Sequence, residues 1–184
     1  HGCTGYRKGS EPPSRHRVSR IAGHSGPVCA RRGGSPADAA QLLEATVKLS
    51  VEDAAGMSAG TGTIVDAQGG AALVLTCGHI FRESKGQGPI KVTLFSATSS
   101  GAQVRETVNG QLMDYDLERD LALVIIRPTS PVQARRIAPA GTVLSPGASV
   151  TTVGCNQGAN PTCIDSQITT VDRYQGAPNV EVAG

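Results

Sequence analysis

The sequence predicts an all-β protein. Three observations carry that expectation. Short runs rich in Val, Ile, Leu and Thr recur along residues 45–182, each bounded by turn residues. Gly and Pro number 23 and 11, which suits frequent tight turns better than long helices. Helix signals are confined to one short segment, and no repeat of fixed period runs through the chain.

That helical segment covers residues 35–44. Ser35 can cap it, Pro36 fits a first turn where its missing N–H costs nothing, and Asp38 suits the positive end of the helix dipole. Ala39, Ala40, Leu42 and Leu43 continue it. From Ala45 the hydrophobic period changes to two, so residues 46–51 read as a half-buried strand. Asp53-Ala54-Ala55-Gly56 then turns the chain. Gly60-Thr61-Gly62-Thr63-Ile64-Val65 and Ala71-Ala72-Leu73-Val74-Leu75-Thr76, joined through Gly69-Gly70, form a hairpin. Further strands are expected at 90–95, 103–115, 121–126, 149–154, 167–174 and 179–182. Such spacing suits a barrel or a sandwich.

Composition removes several functional classes. Hydrophobic residues make up 39%, enough for a core, and charged residues only 17%, so the chain is not a solvated polymer. No apolar run approaches the roughly 18 residues of a membrane-spanning helix. Aromatics are 3% and Trp is absent, which leaves little for base stacking. The net charge of +2 gives no global argument for nucleic acid. It does hide an asymmetry. Residues 1–40 hold seven Lys/Arg against Glu11 and Asp38, while the remainder holds ten against thirteen acids. A basic head, residues 1–34, rich in Gly, Ser, Pro and Arg, is expected to be disordered.

Five cysteines, Cys3, Cys29, Cys77, Cys155 and Cys163, cannot all pair within the chain. No Cys-x-x-Cys is present. Cys77-Gly78-His79 with Cys155 and Cys163 would supply four zinc-type ligands, but neither spacing is a usual zinc pattern, so no metal is expected. A disulfide between Cys155 and Cys163, around Asn160-Pro161, is the expected use of that pair.

Two stretches carry chemistry. In Leu73-Val74-Leu75-Thr76-Cys77-Gly78-His79 a buried-looking strand runs straight into a histidine. An imidazole on a loop held by a rigid sheet is placed to act as a base. A solitary histidine is more often structural. In Asp116-Leu117-Glu118-Arg119-Asp120-Leu121-Ala122-Leu123-Val124 a carboxylate immediately precedes an apolar strand. Partly withdrawn from water there, it can hold an imidazole in one tautomer. A solvated acidic turn is the plainer reading of Asp114, Asp116, Glu118 and Asp120.

Together the two stretches resemble the trypsin-like, chymotrypsin-fold serine proteases, in particular their bacterial branch. That family has a Gly-Ser/Thr-Gly-x-Ile/Val strand, matched at Gly60–Val65 in content by Gly60-Thr61-Gly62-Thr63-Ile64-Val65. Its Leu-Thr-x-x-His is matched by Leu75-Thr76-Cys77-Gly78-His79, and its Asp-Leu/Ile-Ala-Leu by Asp120-Leu121-Ala122-Leu123. Gly147-Ala148-Ser149-Val150-Thr151-Thr152-Val153-Gly154 is similar to the strand that opens the family's second barrel. The likeness covers about residues 45–184 and excludes the head.

The resemblance implies a two-barrel fold: an N-terminal barrel at 45–146 and an incomplete C-terminal one at 147–184. It implies a serine endopeptidase acting on polypeptides without cofactor, with His79 and Asp120 as catalytic residues, and an extracytoplasmic location, although no export signal stands at His1. Cys-Gly replaces the common Ala-Ala before His79, and no Cys follows it, so Cys77 is read as a small buried residue. The nucleophile motif Gly-x-Ser-Gly-Gly is absent. Family order places that serine at about 190–215, so the chain reads as a fragment, inactive by itself and prone to disorder or aggregation after about Val143.

Four serines, Ser25, Ser58, Ser149 and Ser166, are candidate substitutes. Gly56-Met57-Ser58-Ala59-Gly60 fits Gly-x-Ser-x-Gly but lacks a following helix. Gly23-His24-Ser25-Gly26 lies in the head, and Ser149 and Ser166 lack adjacent Gly-Gly. The alternatives to a serine peptidase are an inactive binding or scaffold module of the same fold and a viral-type or cysteine-nucleophile relative.

Overall fold

The computed structural model describes residues 5–6, 29–30, 36–53, 56–172 and 179–183, the first two pairs as backbone alone. Two short strands, β1 (Gly5–Tyr6) and β2 (Cys29–Ala30), precede the helix α1 (Pro36–Ala45). Then come β3 (Thr46–Asp53), β4 (Gly56–Gln68), β5 (Ala71–Thr76), β6 (Ile90–Thr98), β7 (Gly101–Asp116) and β8 (Leu121–Ile126). The last three strands are β9 (Ser149–Gly154), β10 (Thr162–Val171) and β11 (Val180–Ala183).

Alternating side chains give β3, β5, β6 and β8 one apolar face each, and a closed ring buries all those faces at once. The strands run β4-β3-β6-β7-β8-β5, and β5 returns to β4 to close the barrel; β1 adds to β4 from outside. Two long strands turn the corners. The first part of β4 pairs with β3 and the second with β5, across a bulge between Ile64 and Asp66. Likewise β7 passes from β6 to β8, with a bulge between Leu112 and Asp114. Bulges bend a strand and so allow closure. At each corner a glycine admits neighbouring side chains. A Cβ at Gly62 would lie 2.6 Å from Val74 and one at Gly110 2.7 Å from Val124. Inside the ring, Val47, Leu49, Val74, Val92, Leu94 and Val124 are fully buried.

α1 packs on β6, and Thr46 Oγ1 donates to the Leu42 carbonyl at 2.8 Å, joining the helix end to β3. It is the only α-helix among the described residues and is not long and apolar enough to cross a membrane.

A second antiparallel sheet has the order β11-β10-β9-β2. It is tied to the barrel by polar contacts. The Cys155 N–H donates to Thr61 Oγ1 at 2.9 Å, Lys48 Nζ to the Gly158 carbonyl at 2.9 Å, and Asn160 Nδ2 to the Ala102 carbonyl at 3.1 Å.

The all-β expectation holds, and β8 and β9 have the expected bounds. Two corrections arise. The strand expected at 167–174 runs over Thr162–Val171, because pairing with β9 from Gly154 recruits the polar stretch around Asp165. Within the head, residues 5–6 and 29–30 are strand rather than disordered, held by backbone pairing to β4 and β9. The rest of residues 1–34 lies outside the described residues.

Candidate active site

The pairing of β5 with β8 puts Thr76 opposite Ala122. The chain leaving β5 and the chain entering β8 therefore lie at one end of the barrel. His79 follows Thr76 by three positions and Asp120 precedes Ala122 by two. Adjacent strands thus bring together residues 41 apart in sequence.

Each side chain is held by its own turn. His79 sits in a 3-10 turn, Gly78–Phe81. Ile80 and Phe81 are buried in the core, and the Phe81 ring lies 6.3 Å from that of Tyr115. These anchors leave His79 at the surface of the turn, 28% exposed. Upstream, Thr76 Oγ1 donates to the Thr61 carbonyl at 2.8 Å and locks the end of β5 to β4. Asp120 ends the turn between β7 and β8 with φ +52°, a left-handed conformation that Asp tolerates better than most residues.

The His79 N–H donates to Asp120 Oδ1 at 2.8 Å, and Nδ1 lies 2.9 Å from both carboxylate oxygens. An ionised carboxylate only accepts, so the neutral imidazole carries its proton on Nδ1 and its lone pair on Nε2. Such a histidine can take a proton at Nε2, and the imidazolium that forms is stabilised by the carboxylate beside it.

Gly78 and Asp116 belong to the site's support, and neither stood out in the sequence. A Cβ at Gly78 would come within 2.7 Å of the Asp116 carbonyl and 2.9 Å of the Leu121 carbonyl. Glycine therefore lets the two turns close up. The one signal for it was its place in Thr76-Cys77-Gly78-His79, where the family pattern has Ala. Asp116 accepts from the N–H groups of Glu118 and Arg119 at 2.8 and 2.9 Å. Those bonds, with the Arg119 guanidinium, hold its carboxyl below the usual carboxylate range.

Three of the candidate serines, Ser58, Ser149 and Ser166, fall within strands. Ser58 lies within β4, opposite Val51, not at a strand-to-helix elbow. Ser149 and Ser166 lie in β9 and β10, and Ser166 Oγ is 3.4 Å from Thr152 Oγ1. Gly23-His24-Ser25-Gly26 lies outside the described residues.

The cysteine expectations need correction. Cys155 and Cys163 are both free thiols. Cys163 pairs with Val153, which leaves Cys155 two positions farther along. Diagonal neighbours of that kind stand about 7–8 Å apart, whereas a disulfide needs Cβ atoms about 3.5–4.5 Å apart. Instead the Cys163 thiol faces the Ala39 carbonyl at 3.6 Å, and burial pushes the Cys155 thiol up to about 11. Cys77 is fully buried, as expected of a small core residue, but it is disulfide-bonded. Among the described residues no group of three or more His, Cys, Asp or Glu is gathered as a metal site needs.

A closed barrel with a histidine and an aspartate at one rim defines a class, that of chymotrypsin-like proteins, and sequence comparison makes the class definite. The family described as trypsin-like peptidase domain matches residues 60–183. This chain belongs to the trypsin-like peptidase domain family. It is 33% identical over 146 residues to the putative protease Do-like 14 of Arabidopsis thaliana, covering 73% of this chain. The chain spans 31% of that relative's length. Two solved structures share the fold. The HtrA-type protease AlgW, solved with a tripeptide, superposes with a TM-score of 0.59 at 22% identity, over 77% of this chain and 42% of its own. Deg5 superposes with a TM-score of 0.57 at 18% identity, over 77% of this chain and 68% of its own.

Proposed function

We propose that the protein is a trypsin-like serine endopeptidase, with His79 as general base and acid and Asp120 as the residue that orients it. One observation carries the reading: in a member of this family, both Asp120 oxygens lie 2.9 Å from Nδ1, the geometry that orients an imidazole for proton transfer at Nε2. In the mechanism this implies, Nε2 removes the proton of a serine hydroxyl as its oxygen attacks a peptide carbonyl. The imidazolium, stabilised by Asp120, then protonates the leaving amine. Water hydrolyses the acyl-enzyme by the same proton transfers in reverse order. The 184 residues contain no Gly-x-Ser-Gly-Gly, and the proposed nucleophile and oxyanion hole lie outside them, so these residues by themselves would not cleave peptides. The disulfide at Cys77 supports an oxidising, extracytoplasmic setting.

The test is hydrolysis of a fluorogenic protein substrate by the whole protein, with His79→Ala and Asp120→Asn. Loss of about 10⁶ in kcat for His79→Ala and about 10⁴ for Asp120→Asn, with folding retained, is expected. Unchanged hydrolysis by His79→Ala refutes the reading. A whole protein that neither hydrolyses substrate nor reacts with a fluorophosphonate is instead a scaffold built on the protease fold.

A further inference from the structure

The acidic turn before β8 reads in isolation as a solvated loop. Its hydrogen bonds say otherwise. We propose that Asp116 is a positioning residue, whose carboxylate folds the 117–120 turn and so presents the Asp120 carboxylate to His79. The inference rests on the peptidase reading only for its catalytic consequence.

Asp116 and Leu121 are the last paired residues of the β7–β8 hairpin, so four residues must reverse the chain. Leu117 to Arg119 have no side chain in the core to fix that turn, and Leu117 and Leu121 are exposed. Asp116 supplies the order. Its Oδ1 accepts from both the Glu118 and the Arg119 N–H groups, at 2.8 and 2.9 Å. Its Oδ2 accepts from Arg119 Nη1 at 2.6 Å. A carboxylate that bonds the backbone two and three residues on is an Asx-type turn, which replaces a missing backbone bond.

The residue after that turn is Asp120, in the left-handed conformation. Single residues hold that conformation when their surroundings determine it. One determinant is the Asp116 side chain. The other is its carbonyl, packed against the α-carbon of Gly78, next to His79. One residue therefore touches the turn that bears the carboxylate and the turn that bears the imidazole. Asp114 behaves differently: among the described residues it accepts only from its neighbour, the Tyr115 N–H, at 2.8 Å.

The decisive readout is the tautomer of the neutral His79 ring, which reports the carboxylate's position without requiring hydrolysis. It is read by two-bond nitrogen–proton correlation on the full chain labelled with ¹⁵N-histidine, with His79→Gln identifying its signals. The wild type shows the Nδ1–H form. In Asp116→Ala the ratio of Nδ1–H to Nε2–H falls about threefold or more. In Asp116→Asn the acceptor is restored without the charge, and the ratio returns to the wild-type value. Arg119→Ala also keeps it, since both backbone bonds remain.

A lowered Tm in Asp116→Ala with an unchanged tautomer ratio overturns the inference, because Asp116 is then merely a structural cap. Asp116→Asn behaving like Asp116→Ala overturns it too, since charge and not the turn is then what matters. Should Asp116→Ala not fold, Asp116→Ser makes the weaker form of the same turn and gives an intermediate ratio, and a wild-type ratio there overturns the inference. An Nε2–H wild type removes the His79–Asp120 pairing itself, and with it the peptidase reading, whereas an unaffected Asp116→Ala removes only the role of Asp116.

Discussion

Gly78→Ala adds one methyl group where the two site turns meet. Gly78 is not in the left-handed region, so alanine meets no backbone strain and the cost is purely steric. The new Cβ would stand 2.7 Å from the Asp116 carbonyl oxygen, 2.9 Å from the Leu121 carbonyl oxygen and 3.1 Å from the Leu121 nitrogen. All three are backbone atoms, so no side chain can swing aside. To restore ordinary contact the 116–121 turn must retreat by about 0.7 Å, and overpacking of this kind costs about 1–3 kcal/mol. Loss of glycine's freedom in the unfolded chain offsets about 0.4–1 kcal/mol. The net expectation is a destabilisation of about 1–2 kcal/mol, read from urea unfolding as a lower midpoint at unchanged slope. The same retreat draws Asp120 away from His79, whose N–H bond of 2.8 Å is the contact most directly pulled. The trypsin-like pattern that the sequence resembles carries Ala at this place. The cost arises here because the turn is drawn in against a bare α-carbon. A variant as stable as the wild type, with the histidine tautomer unchanged, would refute this reasoning.

Three other perturbations test the frame around the site. Thr61→Val removes the acceptor of the buried Cys155 N–H and should cost about 1–3 kcal/mol in urea unfolding; a change of only a few tenths would mean that this bond does not tie the second sheet to the barrel. Burial raises the folded Cys155 thiol from 9.0 to about 11, so its contribution is fully present below about pH 9 and is lost as pH rises through 11, at most about 2–3 kcal/mol. Cys155→Ala should flatten that fall in unfolding free energy, and an equal fall in both proteins would count against it. β11 has a partner on one side only among the described residues, so the 184-residue chain should self-associate with rising concentration and Val182→Lys should reduce this in light scattering. A concentration-independent monomer would contradict it.

Strands were legible where their ends were chemically marked. β8 stands between Asp120 and Arg127-Pro128, and its six residues alternate cleanly in burial. β9 follows Gly147 and stops at Gly154 in the same way. β10 was harder, since Thr162, Asp165 and Ser166 carry no apolar alternation; their strand conformation comes from pairing with β9, which no local pattern contains. Its end is set by Asp172, which leaves the strand at φ +53°. The bulges in β4 and β7 were equally hidden, because an extra residue shifts register without altering composition.

The site divides along the same line. Periodicity placed His79 after one strand and Asp120 before another, but it does not say which strands are neighbours. That depends on closure of the ring, where β5 has β4 on one side and β8 on the other. Only with that adjacency do Thr76 and Ala122 become partners, and only then do the residues just beyond them face each other across 2.9 Å. In the sequence the family resemblance stood in for this missing step, since it carries two motifs whose meeting is a consequence of topology. What it could not carry is the support particular to this chain. Gly78 replaces the family's alanine, and Asp116 looked like one solvated acid among four. Their importance lies in a packing distance and in two backbone hydrogen bonds, which become visible only once the two turns are folded against each other.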